Sequence, residues 1–203
     1  MIKRRVGIFG GTFNPPHVGH VAAAESFSSA IKPDELIIIP DFLPPHKEYS
    51  GDVSAEDRLE MCRMAFGHIE KCYVSDLEIR RGGRSYTSVT LEELSTPEKE
   101  LYFLCGTDMF LTLDRWYRPE KIFSRATICY IRRENDSSND KELIRKSREY
   151  EEKYGAKIIP IPAPVIEVSS SELREALHSD ISKARELLPD KIYGYIIEKG
   201  LYR

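Results

Sequence analysis

Two histidines, His17 and His20, are the residues of this chain whose spacing most clearly indicates chemistry. An apolar run that ends at Gly10-Gly11 precedes them, and the Pro15-Pro16 pair between is typical of a helix start. Residues three apart lie on one face of a helical turn. Unpaired amides, the helix dipole and a close approach of glycine backbone favour a phosphate at such a junction. The segment therefore predicts a phosphate-binding strand, loop and helix.

The rest of the chain supplies elements that could position this unit. Short apolar runs follow at residues 35–40, 72–77, 101–105, 127–131 and 157–161, and helical patterns lie at 18–30, 54–67, 85–94, 169–178 and 189–199. Strands that alternate with helices form a mostly parallel sheet with helices on both faces. We predict a single doubly wound, Rossmann-like α/β domain over residues 1–203, with residues 132–154 as a solvated loop and surface helix.

Further polar residues follow the predicted strands. In folds of this class, ligands bind at the carboxyl ends of the strands, where the strand order reverses. Residues 80–84 indicate either a solvated basic turn or a device that attracts incoming phosphates. The other residues in such positions are His46 and Lys47 after the second strand, Gly106, Asp108 and Trp116 after the fourth, and 169–174 after the last.

Several of these features also have plainer interpretations. The histidine pair could hold zinc, but no two further ligands stand nearby, so we predict no metal ligand. Ser169 and Glu172 fit a capping box, whereas the hydroxyls, amides and Arg174 at one helix start favour a second phosphate site. Trp116 could pack in the core or on the surface instead of against a ligand.

Composition excludes several classes of function. A net charge of -3 provides no basic field, so nucleic acid is not expected as a partner. The four cysteines are scattered and indicate reduced thiols instead of disulfides or a metal site. The chain shows no signal segment and no apolar run of membrane-spanning length. We expect a soluble cytoplasmic protein with no membrane partner.

The segment Gly11–His20 resembles the G-x-F-[DN]-P-x-H-x-G-H signature of the nucleotidyltransferase superfamily. Val168–Arg174 resembles the second motif of that superfamily, [IV]-S-S-[ST]-x-[IL]-R. Residues 44–47, 85–91 and 106–116 resemble the P-x-H-[KR], S-Y-T-x-[DE]-T-L and G-x-D…L…W segments of bacterial nicotinate mononucleotide adenylyltransferases. The resemblance covers essentially the whole chain, with Asn14 and Val89 where that family often has an acid.

This resemblance implies transfer of AMP from ATP to nicotinate mononucleotide, a step of NAD biosynthesis. His17 and His20 would contact the ATP phosphates, and His20 would stabilise charge on the α-phosphate in the transition state. Mg²⁺ would be carried mainly by the triphosphate. The remaining ATP contacts implied are backbone from Gly10, Gly11, Thr12 and Phe13, the ribose at Gly106 and Asp108, and the β- and γ-phosphates at Ser169, Ser170 and Arg174.

The resemblance also implies an acceptor pocket. Trp116 would stack on the pyridine ring, the amides of Thr87 and Tyr117 would receive the carboxylate, and His46 and Lys47 would close over the acceptor. Two alternatives remain open. One is another nucleotidyltransferase whose acceptor is nicotinamide mononucleotide or phosphopantetheine, and the other is a nucleotide-binding sensor without turnover. The sequence leaves the oligomeric state open, a homo-oligomer included.

Overall fold

The computed structural model describes residues 2–45, 53–132 and 140–202. Within these ranges, six parallel strands form one sheet in the order β3-β2-β1-β4-β5-β6. The chain moves outward from β1 to β3 and then returns to place β4 beside β1, so the strand order reverses between these two strands. The strands are β1 (Arg4–Gly11), β2 (Glu35–Pro40), β3 (Cys72–Val74), β4 (Lys99–Gly106), β5 (Ala126–Ile131) and β6 (Ile158–Ile161).

Helices cover both faces of the sheet. They are α1 (Val18–Ile31), α2 (Ala55–Phe66), α3 (Leu77–Arg81), α4 (Thr87–Leu94), α5 (Thr107–Phe110), α6 (Pro119–Arg125), α7 (Asp140–Tyr154), α8 (Ser170–Ser179), α9 (Ile181–Leu187) and α10 (Asp190–Lys199), with a 3-10 turn at Leu113–Arg115. Buried side chains of α1, α2 and α8–α10 share one core, and those of α4, α6 and α7 share another. The predicted doubly wound fold is confirmed.

Strand β2 shows how the sequence specifies two cores. Its four apolar residues, 36–39, are all buried. Because successive side chains of a strand point to opposite faces, Leu36 and Ile38 enter the core beneath α1 and α2, while Ile37 and Ile39 enter the other core. A continuous apolar run is therefore required when a parallel strand is covered on both sides.

The structure corrects three details of the prediction. The strand expected at residues 72–77 ends at Val74, which pairs with Ile38 of β2, and the chain then turns into α3. Helices α3, α5, α6 and α9 were not predicted, and α3 includes Arg80 and Arg81 of the segment 80–84 that was interpreted as a basic turn. Helix α7 is not a fully solvated face, because Tyr150 is buried and its hydroxyl donates to the Phe110 carbonyl at 2.9 Å. None of the helices in the described ranges is long and apolar enough to cross a membrane.

Candidate active site

A cavity of about 310 Å³ opens at the carboxyl ends of β1, β2 and β4, beside the reversal of strand order. The residues following these strands reach it together with the N-terminal end of α8. Of the predicted site residues, it is lined by Gly10, Gly11, Thr12, Phe13, His17, His20, Thr87, Gly106, Trp116, Ser169, Ser170 and Arg174. The predicted convergence of loops on one site is therefore present.

Four predicted residues are not among those that line the cavity. Asp108 lies in the first turn of α5, next to the cavity-lining Gly106 and Met109 but not itself part of the wall. Tyr117 is half-exposed and packs against Tyr86, with ring centroids 4.5 Å apart and ring planes tilted by 36°. His46 and Lys47 lie outside the described residues.

The histidine pair is held at the start of α1. His17 is the buried N-cap residue, in an extended conformation, and its backbone N–H donates to Nδ1 of His20 at 3.3 Å. The two rings are 3.7 Å apart between centroids, and Phe13 packs edge-on against His20. A neutral imidazole that accepts at Nδ1 carries its proton on Nε2, so His20 presents a donor at Nε2.

Gly19 explains why this signature contains a glycine between its histidines. A Cβ atom at this position would lie 2.9 Å from Cγ1 of Val168 and 3.1 Å from Nδ1 of His17. Any other residue would push α1 away from the segment that leads into α8. The glycine therefore keeps the two phosphate-binding motifs of the sequence in direct contact.

The loop between β1 and α1 is tied to the C-terminal part of the chain. Arg174 donates to the Asn14 carbonyl at 2.8 Å, and the Ser170 hydroxyl donates to the Pro15 carbonyl at 3.0 Å. The Tyr202 hydroxyl lies 2.5 Å from Oδ1 of Asn14. The peptide bond between Asn14 and Pro15 is cis. Two residues predicted to hold phosphates, Ser170 and Arg174, thus also fix the loop that is predicted to surround the phosphates.

The serine run carries the capping box that the sequence indicated. The Ser169 hydroxyl accepts from the Glu172 amide at 3.1 Å, and the Glu172 carboxylate accepts from the Ser169 amide at 2.9 Å. The Ser169 hydroxyl also donates to Oε2 of Glu172 at 2.8 Å, and this bond, together with the one from the Ser169 amide, holds the pKa of Glu172 below its ordinary value. Because Ser169 also lines the cavity, its capping role and a phosphate-binding role are compatible.

A buried arginine that the sequence analysis missed supports both loops. Arg58 of α2 is fully buried and donates to the Thr12 carbonyl at 2.7 Å, to Oδ1 of Asp41 at 3.1 Å and to the Asp41 carbonyl at 2.7 Å. The Thr12 hydroxyl donates to Oδ2 of Asp41 at 2.8 Å. The available signal was a charged residue four and seven positions before Cys62 and Ala65, on the apolar side of α2.

The end of the cavity that is predicted to hold the acceptor is formed by two paired segments. The amide of Phe42 donates to the Ser85 hydroxyl at 2.9 Å, and the amide of Ser85 donates to the Leu43 carbonyl at 2.9 Å. Thr87 begins α4 at this end, and the indole N–H of Trp116 points at the Thr112 hydroxyl, 3.4 Å away. A helix start and an aromatic ring therefore face the same space.

Glu78 is a second cavity-lining residue that the sequence analysis missed. Its carboxylate is buried and accepts hydrogen bonds from Thr90 and Ser85. Burial raises the pKa of Glu78, and these hydroxyls together with Arg81 oppose that shift. Glu78 directly follows the predicted strand 72–77, at a position where no sequence pattern marked it as buried.

A narrow slot adjoins the cavity on the other side of the histidines. It shares His17, His20 and Gly106 with the cavity and is otherwise mainly apolar, with Ile131, Ile166 and Val168 in its walls. The described residues contain no group of three or more histidine, cysteine or acidic side chains that could hold a metal ion. Together, the cavity and the slot place hydrogen-bond donors that can bind anions next to apolar surfaces.

Residues 8–176 match the family model described as Cytidylyltransferase-like, and the chain therefore belongs to this family, which makes it an enzyme of the nucleotidyltransferase class. The probable nicotinate-nucleotide adenylyltransferase of Lachnoclostridium phytofermentans is 38% identical and covers 98% of this chain and 99% of its own. That of Carboxydothermus hydrogenoformans is also 38% identical, with 100% of both chains covered. Within the class, the nicotinate-nucleotide adenylyltransferases are thus its family.

Solved structures agree on the fold. The Plasmodium falciparum nicotinic acid mononucleotide adenylyltransferase complexed with NaAD has a TM-score of 0.78, at 22% identity, and covers 98% of this chain and 97% of its own. The same enzyme complexed with APC has a TM-score of 0.75 at 21% identity, with the same coverage. The family resemblance found in the sequence is confirmed, while the roles of individual site residues stay predictions.

Proposed function

We propose that this enzyme transfers AMP from ATP to nicotinate mononucleotide and forms nicotinate adenine dinucleotide and pyrophosphate. The main support is one cavity that brings the His17–His20 pair and the Arg174 helix start to one side, and Thr87 with Trp116 to the other. Relatives with this printed name, matched over nearly their whole length, support the same reaction. The P. falciparum structures complexed with NaAD and APC show related enzymes holding such ligands.

The chemistry needs alignment more than a strong base. The attacking group is a phosphate oxygen of the acceptor, which is already anionic at neutral pH. It forms a bond to the α-phosphorus of ATP while the bond to the pyrophosphate oxygen breaks, and the electron pair leaves with pyrophosphate. Catalysis then depends on in-line positioning and on stabilising charge around the α-phosphate. The Nε2–H donor of His20 suits the second task.

The triphosphate would lie between the histidines and the start of α8. Two bonds of Arg174 go to the Asn14 carbonyl and the Ser171 hydroxyl. A guanidinium has five N–H donors, so Arg174 can keep the loop in place and bind phosphate at the same time. Mg²⁺ would enter as part of the substrate, held by phosphate oxygens and water, which suits an ion that keeps much of its hydration.

The acceptor would occupy the opposite end. The backbone amides at the start of α4, beginning at Thr87, are donors for an anion, and the indole of Trp116 is a surface for an aromatic ring. A carboxylate accepts from such amides, whereas a carboxamide also presents an NH2 group that they repel. The same donors would therefore favour nicotinate over nicotinamide. We propose that the Tyr117 amide, His46 and Lys47 also contact the acceptor.

We propose that the enzyme acts in the cytoplasm.

Pyrophosphate release tests this assignment. Magnesium-ATP is supplied with nicotinate mononucleotide, nicotinamide mononucleotide or phosphopantetheine in parallel reactions. We expect fast release with the nicotinate acceptor only. Release with a different acceptor alone would retain the nucleotidyltransfer chemistry and reject the acceptor pocket. ATP binding without release in any reaction would favour a sensor.

The His20→Ala variant tests the proposed catalytic group. Loss of one charge-stabilising donor lowers turnover by about 10²–10³-fold in comparable sites. We expect a loss of this size in a variant that still folds, because His20 is only partly buried. Thermal stability should fall slightly, because the N-cap amide of His17 loses its acceptor. Turnover within twofold of the wild type would reject the role of His20. The matched control is His68→Ala, which removes an exposed histidine paired with Glu25 and should leave turnover unchanged.

A further inference from the structure

The acceptor end of the cavity contains an electrostatic conflict. Its wall includes two carboxylates, those of Asp41 and Glu78, although the proposed acceptor brings a carboxylate of its own. Like charges brought together away from water repel strongly, because the effective dielectric constant there is well below that of water. A site that favours an anionic ring must therefore compensate both acidic groups.

Each of the two carboxylates has its own arginine. Asp41 is paired with the fully buried Arg58 at 3.1 Å. Glu78 is paired with Arg81, whose Nη2 lies 3.6 Å from Oε1 of Glu78 and 2.9 Å from the Thr90 hydroxyl that also bonds to Glu78. The described contacts thus leave no net charge within either pair.

The two acidic partners of Arg81, Glu78 and Glu93, differ in how well water can solvate their carboxylates if Arg81 is removed. The Glu78 side chain is 9% exposed and that of Arg81 is 20% exposed, so water screens their attraction only weakly. Arg81 also pairs with Glu93 at 3.2 Å, but the Glu93 side chain is 39% exposed and is readily solvated. Loss of Arg81 would therefore affect Glu78 most, because the negative charge of this buried residue would remain uncompensated at the cavity wall.

We propose that Arg81 is a positioning residue that sets the preference for a carboxylate-bearing acceptor, because it neutralises Glu78 beside the start of α4. This inference rests on the proposed function. With Arg81 in place, the amides at the start of α4 are the dominant partial charge and attract the nicotinate carboxylate. Without Arg81, Glu78 repels that carboxylate but has little effect on a neutral carboxamide.

The test compares two acceptors in each variant. The measured quantity is the ratio of kcat/KM for nicotinate mononucleotide to kcat/KM for nicotinamide mononucleotide at pH 8, by pyrophosphate release. In Arg81→Gln we expect this ratio to fall at least tenfold, mainly through a higher KM for the nicotinate acceptor. In the double variant with Glu78→Gln, the ratio should return to within threefold of the wild type. General destabilisation by an unpaired Glu78 would lower kcat/KM for both acceptors alike and would leave their ratio unchanged.

The pH dependence of this ratio gives a second signature. The groups that face Glu78 are Arg81 of its own helix, the Ser85 and Thr90 hydroxyls and the more distant Asp41 carboxylate. In Arg81→Gln, the pKa of Glu78 should rise further, because burial already raises it and the opposing charge of Arg81 is lost. The ratio should therefore fall with rising pH as Glu78 ionises in this variant, and it should stay flat in the double variant.

Control variants separate the possible outcomes. Arg80→Gln removes an exposed arginine of the same helix, paired with Asp76, and should leave the ratio unchanged. If Arg81→Gln does not fold, Arg81→Lys keeps the charge and should retain the ratio within threefold. A folded Arg81→Gln with an unchanged ratio, or a collapsed ratio in Arg81→Lys, would overturn the inference. A wild-type enzyme without preference for nicotinate would instead overturn the proposed function.

Discussion

Replacement of the buried Arg58 by methionine should destabilise the protein more than any surface substitution. The side chain makes four hydrogen bonds of 3.2 Å or less. Three go to the backbone carbonyls of Thr12, Asp41 and Phe42, and one goes to the Asp41 carboxylate. Methionine fills a similar volume but leaves these acceptors and a carboxylate without donors. Removing one partner of a buried ion pair typically costs about 3–5 kcal/mol.

This cost is large relative to the free energy of unfolding of a typical domain, about 5–15 kcal/mol. With a urea m-value of about 2 kcal/mol/M, a loss of about 4 kcal/mol lowers the urea midpoint by about 2 M. For a chain of this length, the melting temperature should fall by about 6–20 °C. Urea unfolding followed by circular dichroism measures the shift, provided that the slope stays equal to that of the wild type.

The matched control is Arg63→Met in the same helix. Arg63 pairs with Glu60 at 3.1 Å on the surface, with more than half of its side chain exposed, so the change should cost less than about 0.5 kcal/mol. A loss of unfolding free energy below about 1 kcal/mol in Arg58→Met, or one no larger than in the control, would show that the buried hydrogen bonds of Arg58 do not stabilise the two loops. Arg58→Lys should fall between the two, because an ammonium cannot span all four acceptors.

Three further outcomes follow from the structure. Trp116→Ala should raise KM for the mononucleotide several-fold and leave KM for ATP nearly unchanged, as steady-state kinetics can show. Tyr202→Phe should cost about 1 kcal/mol of unfolding free energy by losing its bond to Asn14, and turnover should fall with it, whereas equal stability in urea would count against that bond. The Ser54 hydroxyl holds the pKa of Asp57 below its ordinary value of 3.8. Wild type should therefore exceed Asp57→Asn in stability at pH 7, with the margin shrinking only as the pH falls below about 4 towards the lowered pKa, as a urea series over pH would show.

Local patterns in the sequence predicted most of the fold and the phosphate side of the site. An apolar run such as 36–39, or a glycine loop followed by a helix start, depends on residues close together in sequence. The capping box at Ser169 was readable for the same reason, and it is present.

The missed residues depend on contacts between distant parts of the chain. Arg58 bonds to Thr12, 46 positions earlier, and Tyr202 bonds to Asn14 across 188 positions. Glu78 is buried only because Ser85 and Thr90 fold back over it. Charged residues are expected at the surface, and only tertiary packing reveals that these two are inside. The position of Tyr117 outside the cavity wall likewise depends on its packing against Tyr86.

The hydrogen bonds between the β1–α1 loop and the C-terminal residues Arg174 and Tyr202 also determine when this loop can fold during translation. Arg174 and Tyr202 reach Asn14 across 160 and 188 positions, respectively. A nascent chain that has emerged through β6 can already pair all six strands. The loop between β1 and α1 is then held at Thr12 by Arg58 but still lacks Arg174 and Tyr202. Contacts of such long sequence separation form late, because chain entropy must be lost before they stabilise anything. A ribosome-bound chain should therefore begin to bind nucleotide only after its C-terminal residues have emerged, and not when the sheet has formed.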